Sequence, residues 1–580
     1  MSPAEEASQI ALEKLYSALD RNTCFRFEAG AGAGKTYSLI KALKYLIKNK
    51  GLDLTKNNQR IACITYTNVA VEEIRNRIDN NPVVFAGTIH EFSWSLIQSQ
   101  QKEMGRIIPE ISEKWKTRID EVGGINKQKI KYDLGYPKAT DKEIYLHHDD
   151  VIKIITSLLD KEKFVSILRS KFPIIFIDEY QDTNKEFAEK IVSNIIVKEN
   201  DFLIGLFGDH WQKIYGIRAC GLIESDKIEV INKEANFRSE KNIVQVLNRI
   251  RPELQQHEYD PTSEGDIKVY LSENWVGQRR SENHWQGDLP STNAHQYLEK
   301  CKQDLETNCN WIFEAQKTKI LMLTNNVLAN EQGYSRIASL FSANSDEYLK
   351  KENPYIEFLI DTVEVMCTYF NEKKYGEMFK VMGKRTLKLK NHKDKKAWNR
   401  DFNELNRLRT NSNIGEIIDY LKMSKKPMLS IKIEEIEEFL SDYESFEDDK
   451  KTEMRERYDK YTRLRSIPYS EIVALEKYID DKTPFSTKHG VKGAEFENVL
   501  IVCGRGWNQY NWKEFLEWSR NGTPNGREDA YERNRNLFYV ACSRPKKRLA
   551  LLFTQKLSNQ SLSTLENWFG QCNIQELTLT

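Results

Sequence analysis

Short apolar runs, each ending in small or polar residues, recur along this chain between longer stretches in which apolar residues return every three or four positions. The first kind predicts buried strands of a parallel sheet and the second predicts helices packed over it. Phe25-Arg-Phe27 predicts a strand, and Tyr37 to Ile47 has the spacing of a helix leaving it. Ile61–Ile64, a short run before GTIHEF at 87–92, IIFID after Pro173 and LIGLF from 203 extend the series. A second set is expected at Ile267–Leu271, Ile320–Thr324, Val499–Cys503 and Arg548–Phe553. Residues 531–547 predict a helix with Arg535, Tyr539 and Arg544 spaced to share a face. Strands alternating with helices in this way predict an α/β fold with parallel sheets.

The strand tips carry the chemistry. AGAGAGKT at 29–36 follows the first strand and opens the first helix. Glycines without a Cβ let backbone N–H groups at Ala31, Gly32, Ala33 and Gly34 approach a phosphate, Lys35 adds charge and Thr36 a hydroxyl for Mg²⁺. Ala29 stands where the GxxxxGK[ST] pattern begins with Gly. Asp178 and Glu179 end an apolar strand, where the first can hold Mg²⁺ and the second can deprotonate an attacking water. Gln212 suits a neutral sensor of a terminal phosphate. Phe237 can stack on a base, and Arg238 can pair with phosphate. Tyr66, Thr67 and Asn68 occupy another strand's C-terminal end, with Thr88 and His90 on the same edge, where α/β sheets take ligands. An arginine of the 531–547 segment, such as Arg544 on a later domain, can act as an arginine finger, or is a plain surface charge.

Composition narrows the setting. The 580 residues suffice for about three or four domain-sized units. At 39% hydrophobic and 30% charged residues, with mean hydropathy −0.64, the chain has packed cores and much solvated helix, and no run of about 18 apolar residues suggests a membrane span. The first twenty residues are acidic-polar and amphipathic rather than a basic, then apolar leader, so a cytoplasmic location is expected. Nine cysteines form no CxxC, which fits a reducing compartment and argues against a zinc ribbon or iron–sulfur site. With net charge +1, any DNA track must be a local groove.

Taken together, AGAGAGKT, TYTNVAVEEI, GTIHEF, DEYQDTN, GDHWQKIYGIR, NFRS, KHGVKGAEF and RNLFYVACSRPK, in this order, closely resemble the motifs of UvrD/Rep-like superfamily 1 helicases. The resemblance implies two RecA-like P-loop domains with parallel sheets, each carrying a helical insertion. It implies ATP bound by Lys35 and Thr36, with Asp178 and Glu179 at the metal and water and Gln212 at the γ-phosphate. Phe237 would stack on adenine, Glu495 would contact the ribose, and Arg238 and Arg544 would reach the γ-phosphate. Gln9 is either the adenine-reading glutamine or a plain helix-surface residue. Single-stranded DNA contacts are implied for Tyr66, Thr88, His90, Tyr215 and His489, by stacking that tolerates any base. Two positions depart from the pattern: Ile217 replaces a usual aromatic, and Asn536 a usual basic residue.

On this resemblance the first RecA-like domain spans 1–92 and 172–239, with a small helical insertion at 93–171; the second spans 240–341 and 470–580, with a helical mobile subdomain at 342–470. His147, His148, Asp149 and Asp150 look superficially like metal ligands, but acidic residues in a helix's first turn account for them better. The basic stretch 385–400, ending near Trp398, is either a duplex contact or a solvated helix face, whereas 433–449 is acidic and argues for solvent or a partner. The stretch 272–315, with Trp275, Trp285 and Trp311, is longer than the domain needs and reads as a docking surface, a helical decoration or disorder. The expected function is an ATP- and Mg²⁺-dependent helicase moving 3′→5′ on single-stranded or tailed duplex DNA in repair or antiphage defence. The rival is an ATP-gated DNA-sensing subunit controlling a partner nuclease, as in two-gene antiphage systems such as Gabija with its OLD-type nuclease. An RNA-directed motor fits the motif set less well.

Overall fold

The computed structural model describes residues 1–126, 128–133, 137–198, 201–214, 218–322, 325–382, 391–487, 492–506 and 509–579. Two six-stranded sheets, parallel throughout, organise it. The first runs Val84–Thr88, Ile61–Thr65, Ile174–Asp178, Leu203–Gly208, Phe25–Ala29, Glu229–Lys233 across its width. The second runs Phe485–Thr487, Thr318–Met322, Phe496–Cys503, Pro545–Phe553, Asp266–Leu271, Ile574–Glu576. Counted along the chain, both have the order 3-2-4-5-1-6.

A parallel sheet buries both faces, and its strands alternate between two cores. In the first sheet, Phe25, Phe27, Phe176 and Phe207 join Leu39 and Leu43 of the helix Lys35–Lys56 on one side, while Ile175, Ile177, Ile204 and Leu206 meet Phe92 and Leu96 on the other. In the second, Val499, Ile501, Leu549 and Leu551 face one cluster, and Leu500, Ala550 and Leu552 face another that continues without a break into the helices of the second insertion, through Phe402, Ile417 and Ile433. Ala31 and Trp211, which leave tips of the first sheet, are buried in the second sheet's cluster.

Several elements differ from expectation for local reasons. The strand expected at 320–324 begins at Thr318, because Thr318 and Lys319 are buried with partners of their own: Thr318 Oγ1 donates to Ile312 O at 2.6 Å, and Lys319 pairs with Asp481. Residues 323–324 lie outside the described set. The helix expected at 531–547 is Glu528–Cys542, and Pro545 opens the next strand. The residue before a proline avoids the helical region, so Arg544 falls in the turn. The first insertion is not purely helical, since Lys129–Tyr132, Lys138–Ala139 and Glu143–Leu146 form a small sheet whose strands are too short to show a clear period. Trp398 is 5% exposed and packed on Phe402, so it belongs to the core and not to a duplex-binding face. Residues 383–390 of that basic stretch are outside the described set. His148–Leu158 is a helix with a capping box between His147 and Asp150, and Asp150 also accepts from Trp115 Nε1 at 2.9 Å, so these groups are used in building the helix start.

Candidate nucleotide and nucleic-acid site

The phosphate loop leaves the strand Phe25–Ala29 and reaches its helix through Gly32 (φ 76°) and Gly34 (φ 72°), left-handed conformations that side chains disfavour. A Cβ on Gly32 would lie 2.7 Å from both Arg238 Cβ and Asn236 Oδ1, so the NFRS segment rests directly on the loop. Asn236 Nδ2 and Gln256 Nε2 each donate to Ala31 O at 3.2 Å, and Phe237 N donates to Gly32 O at 2.9 Å. These bonds hold the loop's carbonyls from behind. Its N–H groups stand at the start of the helix Lys35–Lys56, where dipole and free donors favour an anion.

Lys35 Nζ pairs with Glu179 and stands 3.9 Å from Asp178 Oδ1. Burial opposes the charge of all three. At Lys35 the two carboxylates outweigh it and raise the pKa. At Glu179 the charges of Lys35 and Lys492 outweigh it and hold the carboxyl low, so Glu179 is ionised and able to accept a proton. At Asp178 burial dominates, and the pKa lies above the ordinary carboxylate range. Glu179 has φ 49° and ψ 45°, a conformation costing a non-glycine residue roughly 1–3 kcal/mol. Gln181 Nε2 orients it by donating to Oε2 at 2.6 Å, while Gln181 Oε1 accepts from Asp209 N at 3.1 Å.

Asp178 Oδ1 is buried and, among the described residues, has no hydrogen-bond partner. An orphaned carboxylate oxygen 3.9 Å from Lys35 Nζ of the phosphate loop fits Mg²⁺, which prefers oxygen ligands from one or two carboxylates together with substrate phosphates. Thr36 and Asp178 would hold it.

Two arginines form the opposite wall. Arg238 Nε donates to Glu495 Oε2 at 3.1 Å and Nη1 to Ser543 O at 3.0 Å; Glu495 also pairs with Lys546 at 2.5 Å. Arg544 is 1% exposed, and among the described residues its guanidinium donates to the neutral oxygens Val540 O, Ala494 O and Ser543 Oγ. Burial, then the neighbouring charge of Arg238, lowers its pKa, with Glu179 and Asp209 acting the other way. A buried cation in this state gains from an anion placed between the walls. Lys492 spans the same gap, donating to Asp182 Oδ2 at 2.5 Å and Gln212 O at 2.7 Å.

Phe237 is 41% exposed and Tyr37 48%, with Lys233 Nζ 5.7 Å and 5.6 Å from their ring centroids. The rings offer stacking surface beside the loop. Gln9 is exposed on the helix Pro3–Asp20 and donates to Glu13 Oε1 at 3.0 Å, the geometry of a helix-surface residue.

On the sheet's upper edge, Tyr66 is 55% exposed, Thr67 caps the helix Asn68–Arg77 by accepting from Ala70 N, and Thr88 caps Ile89–Ile97 in a capping box with Glu91. The His90 ring is 4.4 Å from that of His148; burial and then His148 push its pKa down to about 4, so at neutral pH His90 offers an uncharged ring edge. Tyr215, Ile217 and His489 lie outside the described residues. Asn536, the departure from the usual basic residue, is fully buried and donates to His210 O and Lys213 O at 3.3 and 3.1 Å, a bond between the two sheets' units.

Gln181, Asn236, Lys492, Gln256, Lys233 and Arg251 were not singled out from sequence. The first three stand inside recognisable motifs, which was a usable signal. The last three are lone polar residues with no local pattern.

The AAA domain family model matches residues 13–218, and the UvrD-like helicase C-terminal domain model matches 297–556. The chain is 24% identical to the Gabija protein GajB of Bacillus cereus, over 98% of each chain. It is 22% identical to a probable DNA helicase II homolog of Mycoplasma genitalium, over 92% of this chain and 83% of that one. It is 26% identical to the ATP-dependent DNA helicase PcrA of Staphylococcus epidermidis, over 38% and 37%. With its parallel-sheet fold and ordered motifs, the chain belongs to the UvrD-like superfamily 1 helicases. Among the described residues no helix is long and apolar enough to cross a membrane.

Proposed function

We propose that the chain is a DNA-stimulated, Mg²⁺-dependent ATPase that moves 3′→5′ along single-stranded DNA. The observation that carries this is the two-walled cleft: Lys35, Asp178 and the ionised Glu179 on one side, and on the other Arg238, paired with Glu495, and the buried Arg544, bonded to neutral oxygens. A triphosphate between the walls exchanges the Lys35–Glu179 pair for Lys35–phosphate, releasing Glu179 to take a proton from water. Mg²⁺ neutralises phosphate charge when bound. Arg238 and Arg544 then stabilise charge on the transferring group and draw the second unit onto the first. Alternating closure shifts Tyr66, Thr88 and His90 relative to the second unit's DNA contacts, the step a translocase needs. The units are divided as the resemblance implies, at 1–92 with 172–239 and 240–341 with 470–580.

The test follows turnover and strand separation together on 3′-tailed, 5′-tailed and blunt duplexes. Glu179→Gln should lower kcat by roughly 10²–10⁴ with nucleotide binding retained; near-normal turnover in that variant sinks the assignment. Unwinding confined to the 3′-tailed duplex supports the polarity. The full-length match to the Gabija protein GajB favours a second reading, in which the motor serves antiphage defence with a partner nuclease. DNA-stimulated turnover without unwinding, changed by adding such a nuclease, supports that reading.

A further inference from the structure

Arg251 lies outside every motif of the sequence, directly after the helix Lys241–Ile250, and is 2% exposed. Its guanidinium Nη1 donates to Asp209 Oδ1 at 2.6 Å, and Nη2 is 3.8 Å from Glu28 Oε2. The Trp211 and Tyr539 rings both pack beside it, with centroids 5.1 Å and 5.5 Å from the guanidinium carbon and 5.3 Å from each other, edge to face. Trp211 leaves a strand of the first sheet, while Tyr539 stands on the helix Glu528–Cys542 that packs on the second. One buried cation is therefore gripped by both units.

Asp209 passes this position on. Its Oδ1 also accepts from Trp211 N at 3.0 Å, and its Oδ2 accepts from Gln212 Nε2 at 2.9 Å. A carboxylate only accepts, so Gln212 must turn its amide nitrogen to Asp209 and its carbonyl oxygen away. Glu28, Asp209 and His210 bring ligand atoms within 4.8 Å of one another, a spacing that could hold a metal ion. Arg251 already supplies the positive charge there, and Glu28 further accepts from Tyr180 and pairs with Arg26 at 2.9 Å, so the cluster is neutralised by arginine.

We infer that Arg251 is a positioning residue that transmits the relative placement of the two units through Asp209 to Gln212, setting which end of the Gln212 carboxamide faces the terminal phosphate and its attacking water. The inference rests on the proposed role of Gln212. When the units close, Arg251 fixes Asp209 and Gln212 presents an acceptor to water. When they part, the Arg251–Asp209 pair and the Trp211–Tyr539 contact loosen together and the carboxamide is free to turn.

The experiment uses the full-length chain with Arg251→Gln, Arg251→Lys, Gln212→Ala and Arg251→Gln/Gln212→Ala. Fluorescent ATP-analogue affinity, single-turnover hydrolysis with and without single-stranded DNA, and thermal unfolding are followed in each. The expected result is a loss of DNA-stimulated hydrolysis of roughly 10²-fold in Arg251→Gln, the scale of one removed preorganised polar contact. Nucleotide affinity should stay within about twofold, and Arg251→Lys should recover part of the rate, as a charge that lacks the planar fork. On the Gln212→Ala background Arg251→Gln should cost little more, the non-additivity of residues acting in one chain. Unchanged DNA-stimulated turnover in Arg251→Gln, or full additivity with Gln212→Ala, overturns the inference. Should Arg251→Gln fail to fold, a full wild-type rate in Arg251→Lys with weakened nucleotide binding overturns it too, because that marks a packing role only. Wild-type chain in the same tubes separates the readings: absence of DNA-stimulated turnover there refutes the proposed function itself.

Discussion

The two sheets share one strand order, yet their tips are furnished differently. In the first sheet, the strands ending at Ala29, Asp178 and Gly208 lead into the phosphate loop, Glu179 and Asp209–Gln212. In the second, the strands at the same places end at Leu271, Cys503 and Phe553 and are overlaid by the chain's own 272–290 segment, which leaves a cavity of only about 60 Å³ between Arg280, Trp285, Asp288 and Gly504. Arg279 Nη1 donates to Thr554 O at 2.8 Å and Gly287 O at 3.3 Å, and its Nη2 donates to Ser272 O. Asp288 accepts from Arg505 N at 2.7 Å and Leu289 N at 3.0 Å. A guanidinium and a carboxylate of the protein thus occupy the edge that nucleotide chemistry takes in the other sheet. Equal frames do not make equal sites; the connecting loops decide.

The sharpest way to break this contrast is at Arg544, which the second unit contributes to the first unit's site. Arg544→Ala should reduce single-turnover hydrolysis by roughly 10³-fold or more, as removed arginine fingers do. Hydrolysis close to the wild-type rate would mean that the second sheet adds no chemistry at all.

A medium effect is expected at Lys233, on the first sheet's edge. Its amine donates to Gly34 O at 3.2 Å and Ser38 Oγ at 2.8 Å and, among the described residues, to no carboxylate; burial pushes its pKa down to about 8. A lysine whose folded pKa lies below its unfolded one costs stability in full below the folded value, where the buried amine is held charged, and between the two values the unfolded chain binds the extra proton. That cost is relieved as pH rises from about 8 towards the ordinary lysine value of about 10.4. Thermal unfolding at low nucleotide should therefore give a Tm component that rises across this window in the wild type and is absent in Lys233→Met. Identical pH profiles in the two chains would count against an uncompensated charge.

The smallest effect belongs to the second sheet's edge. Arg279→Met should leave ATP turnover unchanged and lower stability by about 1–3 kcal/mol, the scale of hydrogen bonds from a charged group, read by urea unfolding. A turnover defect there would show that the two edges communicate chemically.

Sheet frame and phosphate chemistry were legible in the sequence because both are local: an apolar run followed by GKT or by Asp-Glu carries its meaning within a few residues. Asp178 and Glu179 were singled out that way, whereas Arg238 was singled out only through the ordered set of motifs. Arg251 and Lys233 were not, because a single charge at the end of an apolar segment reads as solvated, and only tertiary packing encloses it. The start of the second sheet's strand at Thr318 was missed for the same reason, since polar residues with distant partners look like loop. Trp398 was misread in the opposite direction, its basic neighbours suggesting a surface that the ring itself does not occupy.

Trp211 and Ala31 leave the first sheet and are buried under the second. The chain therefore cannot be divided into an amino-terminal ATP-binding half and a carboxy-terminal half that each stand alone. Severed, the first half would present a bare indole to solvent and tend to self-associate, while the second would keep a socket shaped for that ring, and the two would find each other again without nucleotide or DNA. If the two units move as proposed, each opening must draw the Trp211 ring partly out of that socket, so opening costs buried apolar area.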